Sequence, residues 1–123
     1  MANIGGNING MVQKKTSAAK NAIGETIVSW ENVCSQTGWL GLQNGDSKYN
    51  NFSAKIEEST HVFLCDYNST IYALSVPDAN GKTPIVRMIL KGIVYDVLLI
   101  DNPDEMDEQL EIYLRKVGAW NGK

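Results

Sequence analysis

After Pro84 the chain reads IVRMILKGIVYDVLLI, two apolar runs separated only by Lys91 and Gly92. Two such runs around a turn pair are the pattern of a tight hairpin. In the second limb Val94, Asp96, Leu98 and Ile100 fall on one face of a strand, and Ile93, Tyr95, Val97 and Leu99 on the other. Both faces are mostly apolar. A strand wet on one side would alternate apolar with polar, so this limb points to a closed or heavily packed barrel. At 123 residues the chain can bury one such core and is too short to expect two. Its 11 glycines and many asparagines favour turns over long helices. The expected class is all-β: a small barrel of about six to seven mostly antiparallel strands with long loops.

The rest of the chain divides around that hairpin. MANIGGNINGMVQKK, residues 1–15, is rich in Gly and Asn with isolated apolar residues, so little burial within its own subunit offsets the entropy of ordering it. It is expected to be a flexible amino-terminal arm, with residues 16–120 as a single barrel domain. ETIVSW suits a strand running on through Val33. SQTGWLGLQNGDSKYN is dense in turn residues and reads as a loop or tight hairpin. Within it Trp39, Leu40 and Leu42 either fold back on the core or dock on a partner. NFSAKIEES alternates cleanly, Phe52, Ala54 and Ile56 against Ser53, Lys55 and Glu57, as a half-buried strand does. HVFLCDY is a short apolar run fitting a buried strand, TIYALSV is strand or short turn, and Asn80-Gly81 marks a turn.

The end of the chain reads two ways. As a helix it has Asn102 as cap, Pro103 in the first position, acids in the first turn, Arg115 and Lys116 in the last, and Gly118 just beyond. As a strand, Leu110, Ile112 and Leu114 alternate with Glu111, Tyr113 and Arg115. The local signals favour the helix.

No catalytic or metal motif stands up. The one histidine, His61, lies four residues from Cys65, which in a strand is about 13 Å, too far to share a metal. The acidic run DNPDEMDEQLE lacks the order of a calcium loop, and Pro103 interrupts it. GLQNGDS lacks the Lys-Ser/Thr ending of a phosphate loop. The expectation is a protein that is not an enzyme and carries no cofactor or metal. Cys34 and Cys65 show no CxxC spacing, no start resembling a secretory signal is evident, and no apolar run approaches the roughly 18–20 residues of a membrane span. A reduced, cytosolic chain without a membrane partner is expected. Net charge is only -3, but Lys14, Lys15 and Lys20 precede any acid while Asp101, Asp104, Glu105, Asp107 and Glu108 crowd the other end. Three lysines without an aromatic stripe fall short of a nucleic-acid groove.

Three stretches resemble one known family. GWLGLQNGDSKYNNFSAKIEESTHVFLCDY, from Gly38 to Tyr67, is similar to the signature region of the small head closure, or stopper, proteins at the head-tail junction of long-tailed bacteriophages. GIVYDVLLIDNPDEMDEQLEIYLRKVG resembles the carboxyl end of the same group, and NAIGETIVSW its first strand. Where related chains carry a basic residue or histidine before L-E-I-Y-L, this one has Glu108 and Gln109.

The resemblance implies a small β-barrel that assembles as a homo-oligomeric ring below portal and adaptor proteins. Such a ring closes the channel for double-stranded DNA after packaging and gives tail terminator or tail proteins their docking surface. It implies a virion location, assembly in the host bacterial cytoplasm, and LEIYLRKV as a barrel-closing strand, which outweighs the local helix signals. Partner contacts are then expected from Trp39, Leu40, Leu42, Asp46, Lys48 and Tyr49. The loop carrying Asp101, Asp104, Glu105, Asp107 and Glu108 is expected to face a lumen or an adjacent ring, where acid repels passing DNA. Two alternatives stand beside this reading: a neighbouring adaptor or tail-completion protein, and, in another class, a small single-stranded nucleic-acid-binding barrel.

Overall fold

The structure, a computed structural model, describes residues 5–16, 19–20, 22–24, 26–27, 29–42 and 59–122. The elements are β1 (Ile8–Lys15), β2 (Ala19–Lys20), β3 (Thr26–Ile27), β4 (Trp30–Leu42) and β5 (His61–Asp66). They are followed by helix α1 (Ser69–Ala73), β6 (Val86–Leu90), β7 (Ile93–Asp101), a 3₁₀ turn at Pro103–Glu105 and β8 (Gln109–Ala119). Among these, β1-β4-β5-β8-β7-β6 form a closed barrel with every pairing antiparallel, and β2 pairs β3 separately. The all-β barrel expected from the hairpin is the fold observed. Closure leaves no exposed row of ladder groups along most of the sheet.

The founding hairpin is β6–β7, turning at Lys91 and Gly92, whose φ angles of 50° and 75° are both left-handed. That is the two-residue geometry matching the twist of its strands, and glycine adopts its half without steric cost. Strict two-face alternation does not survive in β7. Its register to β8 shifts between Val94 and Tyr95 and again between Val97 and Leu99. The second shift lets Val97 and Ile100, of opposite parity in sequence, both reach the core, opposite Leu114 and Ile112.

Inside the barrel the pairing stacks side chains in rows. Leu40, Phe63, Ile112 and Ile100 lie opposite one another across β4, β5, β8 and β7. Phe63, Met88, Leu90, Leu110, Ile112 and Leu114 are fully buried. Each such side chain contributes about 1.5–3 kcal/mol by leaving water. Among the described residues no buried side-chain polar atom lacks a partner.

Three expectations are corrected. Residues 1–15 are not an arm throughout, because Ile8–Lys15 is a barrel strand flanked by β4 and β6. Ile8 and Val12 are buried there, and Gly10 lies where a Cβ would collide with the Leu90 side chain. Alternate placement of Ile8, Gly10 and Val12 is the strand signal, and Gly10 disguises it. The stretch from Ser35 to Leu42 is not a loop but the second half of β4. Gly38 is a packing glycine, since a Cβ would meet the Leu64 carbonyl oxygen and, at 2.7 Å, the Phe63 ring. TIYALSV forms neither strand nor simple turn, as its first half is α1. The Asn68 side chain caps it, its Oδ1 accepting from the N–H groups of Thr70 at 2.9 Å and Ile71 at 3.4 Å.

At the end of the chain the strand prevails over the helix signals. Asn102 and Pro103 start only one 3₁₀ turn, and Asp104, Glu105 and Asp107 take φ of 54°, 51° and 56°. The buried Asn102 side chain closes the turn from both ends. Its Nδ2 donates to Asp107 Oδ1 at 2.8 Å, and its Oδ1 accepts from the Asp107 N–H at 3.2 Å. The capping residues thus shape a tight connection, and Leu110, Ile112 and Leu114 seal the barrel on β8. The strand expected in NFSAKIEES lies outside the described residues.

Candidate partner-binding surface

Residues opposite one another in an antiparallel pair project on the same face. Two rows therefore run over the outside of the barrel. One links Trp39, Leu64, Glu111 and Asp101, and the next links Gly41, Val62, Tyr113 and Leu99. Val62, Leu64 and Leu99 are half-buried apolar side chains that do not pack on the interior core. Trp39 is 46% exposed and Leu42, beyond it at the barrel mouth, 81%. The result is a band across β4, β5, β8 and β7, apolar at Trp39, Leu64, Val62 and Leu99 and broken by Glu111 and Asp101, on a face that barrels in water usually keep polar. Tyr113 sits within it, and its hydroxyl donates to Glu111 at 3.0 Å. Burial, and then the Glu111 carboxylate, push the Tyr113 phenol above its usual range, so it stays a neutral donor.

The opposite half of the exterior is built differently. Asn32, Gln13, Arg87, Asp96 and Arg115 form one directly paired row over β4, β1, β6, β7 and β8. Gln13 donates to Asn32 Oδ1 at 2.8 Å and accepts from Arg87 Nε at 2.7 Å, while Arg115 reaches Asp96 at 3.1 Å. Arg87 also lies 4.2 Å over the Trp30 ring. This ladder satisfies its own polar groups, so it rigidifies the wall more than it offers contacts. Beside it a cleft of about 790 Å³ is lined by Trp30, Trp120, Met11, Ile89 and Asn9. A second cleft, of about 470 Å³, lies at the β7 end of the apolar band and is lined by Leu74, Pro84, Ile85, Val97 and Leu99, with Asp96 and Arg115.

The expected contact residues separate accordingly. Trp39 lies on the outer band, Leu40 turns inward against the core, and Leu42 extends from the barrel mouth. Leu40 therefore serves packing. Asp46, Lys48 and Tyr49 lie outside the described residues. Of the acidic group, Asp104, Glu105, Asp107 and Glu108 are exposed in one turn, around a 60%-exposed Met106, and Asp101 is half-buried opposite Glu111. Burial raises Asp101 above its ordinary value, and Asp104 adds to the shift. Sequence reasoning missed the Val62, Leu64, Tyr113 and Leu99 surface. Its signal, apolar residues on both faces of β5 and β7, was present, but which face meets water depends on the pairing.

His61 and Cys65 serve packing. The His61 and Tyr95 ring centres lie 5.1 Å apart with their planes at 72°, and His61 Nδ1 lies 2.9 Å from the Thr60 hydroxyl. Cys65 is fully buried, and burial pushes its thiol up to about 12. Among the described residues no three His, Cys, Asp or Glu side chains gather as a metal site, and no helix is long and apolar enough to cross a membrane. No protein-family model matches the sequence, and no curated protein matches it.

Proposed function

We propose that this chain is a structural component of the head-tail interface of a long-tailed bacteriophage. It assembles as a ring below the portal and adaptor proteins, closes the DNA channel after packaging and presents the tail attachment surface. The observation that carries the reading is the apolar band from Trp39 to Leu99 on the outside of a closed barrel. A ring subunit needs apolar walls facing its neighbours, and such a band would supply one. The stretches that carry the family resemblance also converge. GWLGL, HVFLCD and LEIYL lie on β4, β5 and β8, three strands paired in that order. The exposed acidic turn at Asp104–Glu108 suits a channel through which DNA must pass without sticking. The role is mechanical, with no reaction assigned to it.

Imaging of the particles formed when the gene is deleted tests this. DNA-filled heads that leak and lack tails are the expected result. Empty capsids would move the protein upstream of packaging, and normal virions would refute the reading. Retention of single-stranded oligonucleotide in a salt-dependent manner would revive the nucleic-acid-binding barrel instead.

A further inference from the structure

The cleft of about 790 Å³ lies over β1 and β6, strands that the apolar band does not cross. Its size falls within the roughly 300–1,000 Å³ of sites that take up a ligand. The floor is the cross-strand pair Met11 and Ile89, on the outer face and apart from the interior core. Trp30, at the start of β4, and Trp120, just beyond β8, line it with indole rings. The Trp120 N–H donates to the Gly92 carbonyl at 2.8 Å, which holds that residue beside the hairpin turn. Among the described residues no charged side chain lines the cleft.

The polar ladder beside the cleft fixes its hydrogen-bonding character. A guanidinium has only donors, so the bond from Arg87 Nε at 2.7 Å makes Gln13 Oε1 the acceptor. Gln13 Nε2 is thereby the end that meets Asn32, donating to its Oδ1 at 2.8 Å. Asn32 Nδ2 is left without a hydrogen-bond partner among the described residues, on an exposed side chain that lines the cleft. The indole N–H groups of Trp30 and Trp120 make no hydrogen bond among the described residues either. All three groups can only donate. The Asn9 amide, 3.0 Å from the Thr37 hydroxyl, and the Ser29 hydroxyl are the adjustable groups beside them.

The matching ligand has apolar faces for the indoles, acceptors for the three donors, few donors of its own and no charge. A cation would meet the Arg87 guanidinium, which already lies 4.2 Å over the Trp30 ring. A nucleotide would find no Lys or Arg for its phosphates. A sugar brings as many donors as acceptors, and its hydroxyls would outnumber the groups able to receive them. We propose that the cleft binds a proline-rich segment of another protein in the polyproline II conformation. Proline has no N–H, the carbonyls of that helix are not bonded within it, and its rings pack on aromatic side chains. The helix is also preformed, so little ordering entropy opposes binding. Pro77, Pro84 and Pro103 stand far apart, so a second copy of this sequence does not supply the segment. The proposal stands on the cleft alone and is independent of the phage reading.

Titration of the isotope-labelled chain with decaproline tests this. The indole N–H signals of Trp30 and Trp120 and the side-chain amide of Asn32 are expected to shift, with a dissociation constant below about 1 mM. The indole of Trp39, on the apolar band, is expected to stay unmoved. Asn32→Asp keeps the acceptor that Gln13 uses and removes the donor, and should weaken binding about tenfold. Trp120→Ala, beyond the last strand, should weaken it by about tenfold or more. Each variant's amide spectrum is first compared with wild type for retained fold. If Asn32→Asp misfolds, Trp30→Phe, which keeps a ring and removes its N–H, takes its place. Absence of shifts, equal shifts from a glycine–serine peptide of the same length, or undiminished binding by either variant would overturn the proposal. Shifts caused by maltotetraose and not by decaproline would also overturn it and assign the cleft to carbohydrate.

Discussion

The Arg87 guanidinium carbon lies 4.2 Å from the centre of the Trp30 ring, bringing the start of β4 against β6 across the intervening β1. The charge remains tolerable because Arg87 also donates to Gln13 and faces Asp96 on the neighbouring strand. Arg87 is only 8% exposed, so the stack is screened little by water.

Arg87→Met is expected to cost about 1–3 kcal/mol, mostly by leaving Gln13 Oε1 buried without its donor. A double-mutant cycle with Trp30→Leu isolates the stack, with an expected coupling of about 1 kcal/mol. Urea unfolding of the four chains measures it. A coupling near zero would mean the ring only shields the ladder.

Gly38→Ala should destabilise by about 1–3 kcal/mol, because the added Cβ meets the Leu64 carbonyl and the Phe63 ring inside a paired strand. Gly41→Ala, three residues on and in open space, is the control. It should leave the unfolding midpoint unchanged or raise it slightly, since alanine restricts the unfolded chain. Equal losses at both positions would show that the cost is not steric.

Acid should weaken the fold through His61. Burial, and secondarily Lys116, hold its pKa below the ordinary 6.5, so the folded chain prefers the neutral ring. That contribution is fully present above the unfolded value and is lost as pH falls from there through the lowered folded value. The Tyr95 ring and the Thr60 hydroxyl lie against the ring, Leu42 and Leu114 are its cross-strand neighbours, and Lys116 acts on it through its charge. Unfolding followed between about pH 5 and 7.5 should show a steeper acid loss in wild type than in His61→Gln. Parallel profiles would place the acid sensitivity elsewhere.

The two thiols should react in a fixed order. Cys34 is half-buried, with the Asn68 amide partly offsetting the rise that burial causes. Cys65 is fully buried, and its pKa of about 12 leaves almost no thiolate at neutral pH. A chromogenic disulfide reagent is expected to modify Cys34 in the native chain and Cys65 only upon unfolding. Fast native labelling of Cys34→Ser would contradict the buried position of Cys65.

Much of the barrel was legible in short-range pattern. Lys91-Gly92 between two apolar runs marked the β6–β7 hairpin, and Val62, Phe63 and Leu64 marked β5. Strand β1 and the second half of β4 were hidden because Gly10 and Gly38 read as loop residues, whereas their small size answers to Leu90 and Phe63, neighbours distant in sequence. The apolar outer band was hidden for the same kind of reason. Val62 and Phe63 are equally apolar on paper, and only pairing with Tyr113 and Ile112 shows which faces out.

By itself the sequence determined the class of fold, the tight hairpin and the presence of a concentrated acidic segment, since these follow from local periodicity and turn chemistry. The tertiary structure decided that Asn102 and Pro103 open a single turn instead of a helix. A strand from Gln109 on pairs with both β5 and β7 and buries Leu110, Ile112 and Leu114. An isolated helix there would gain capping bonds worth about 1 kcal/mol. Sealing the barrel gains several buried side chains and two ladders of hydrogen bonds, and that larger gain belongs to contacts no local segment contains.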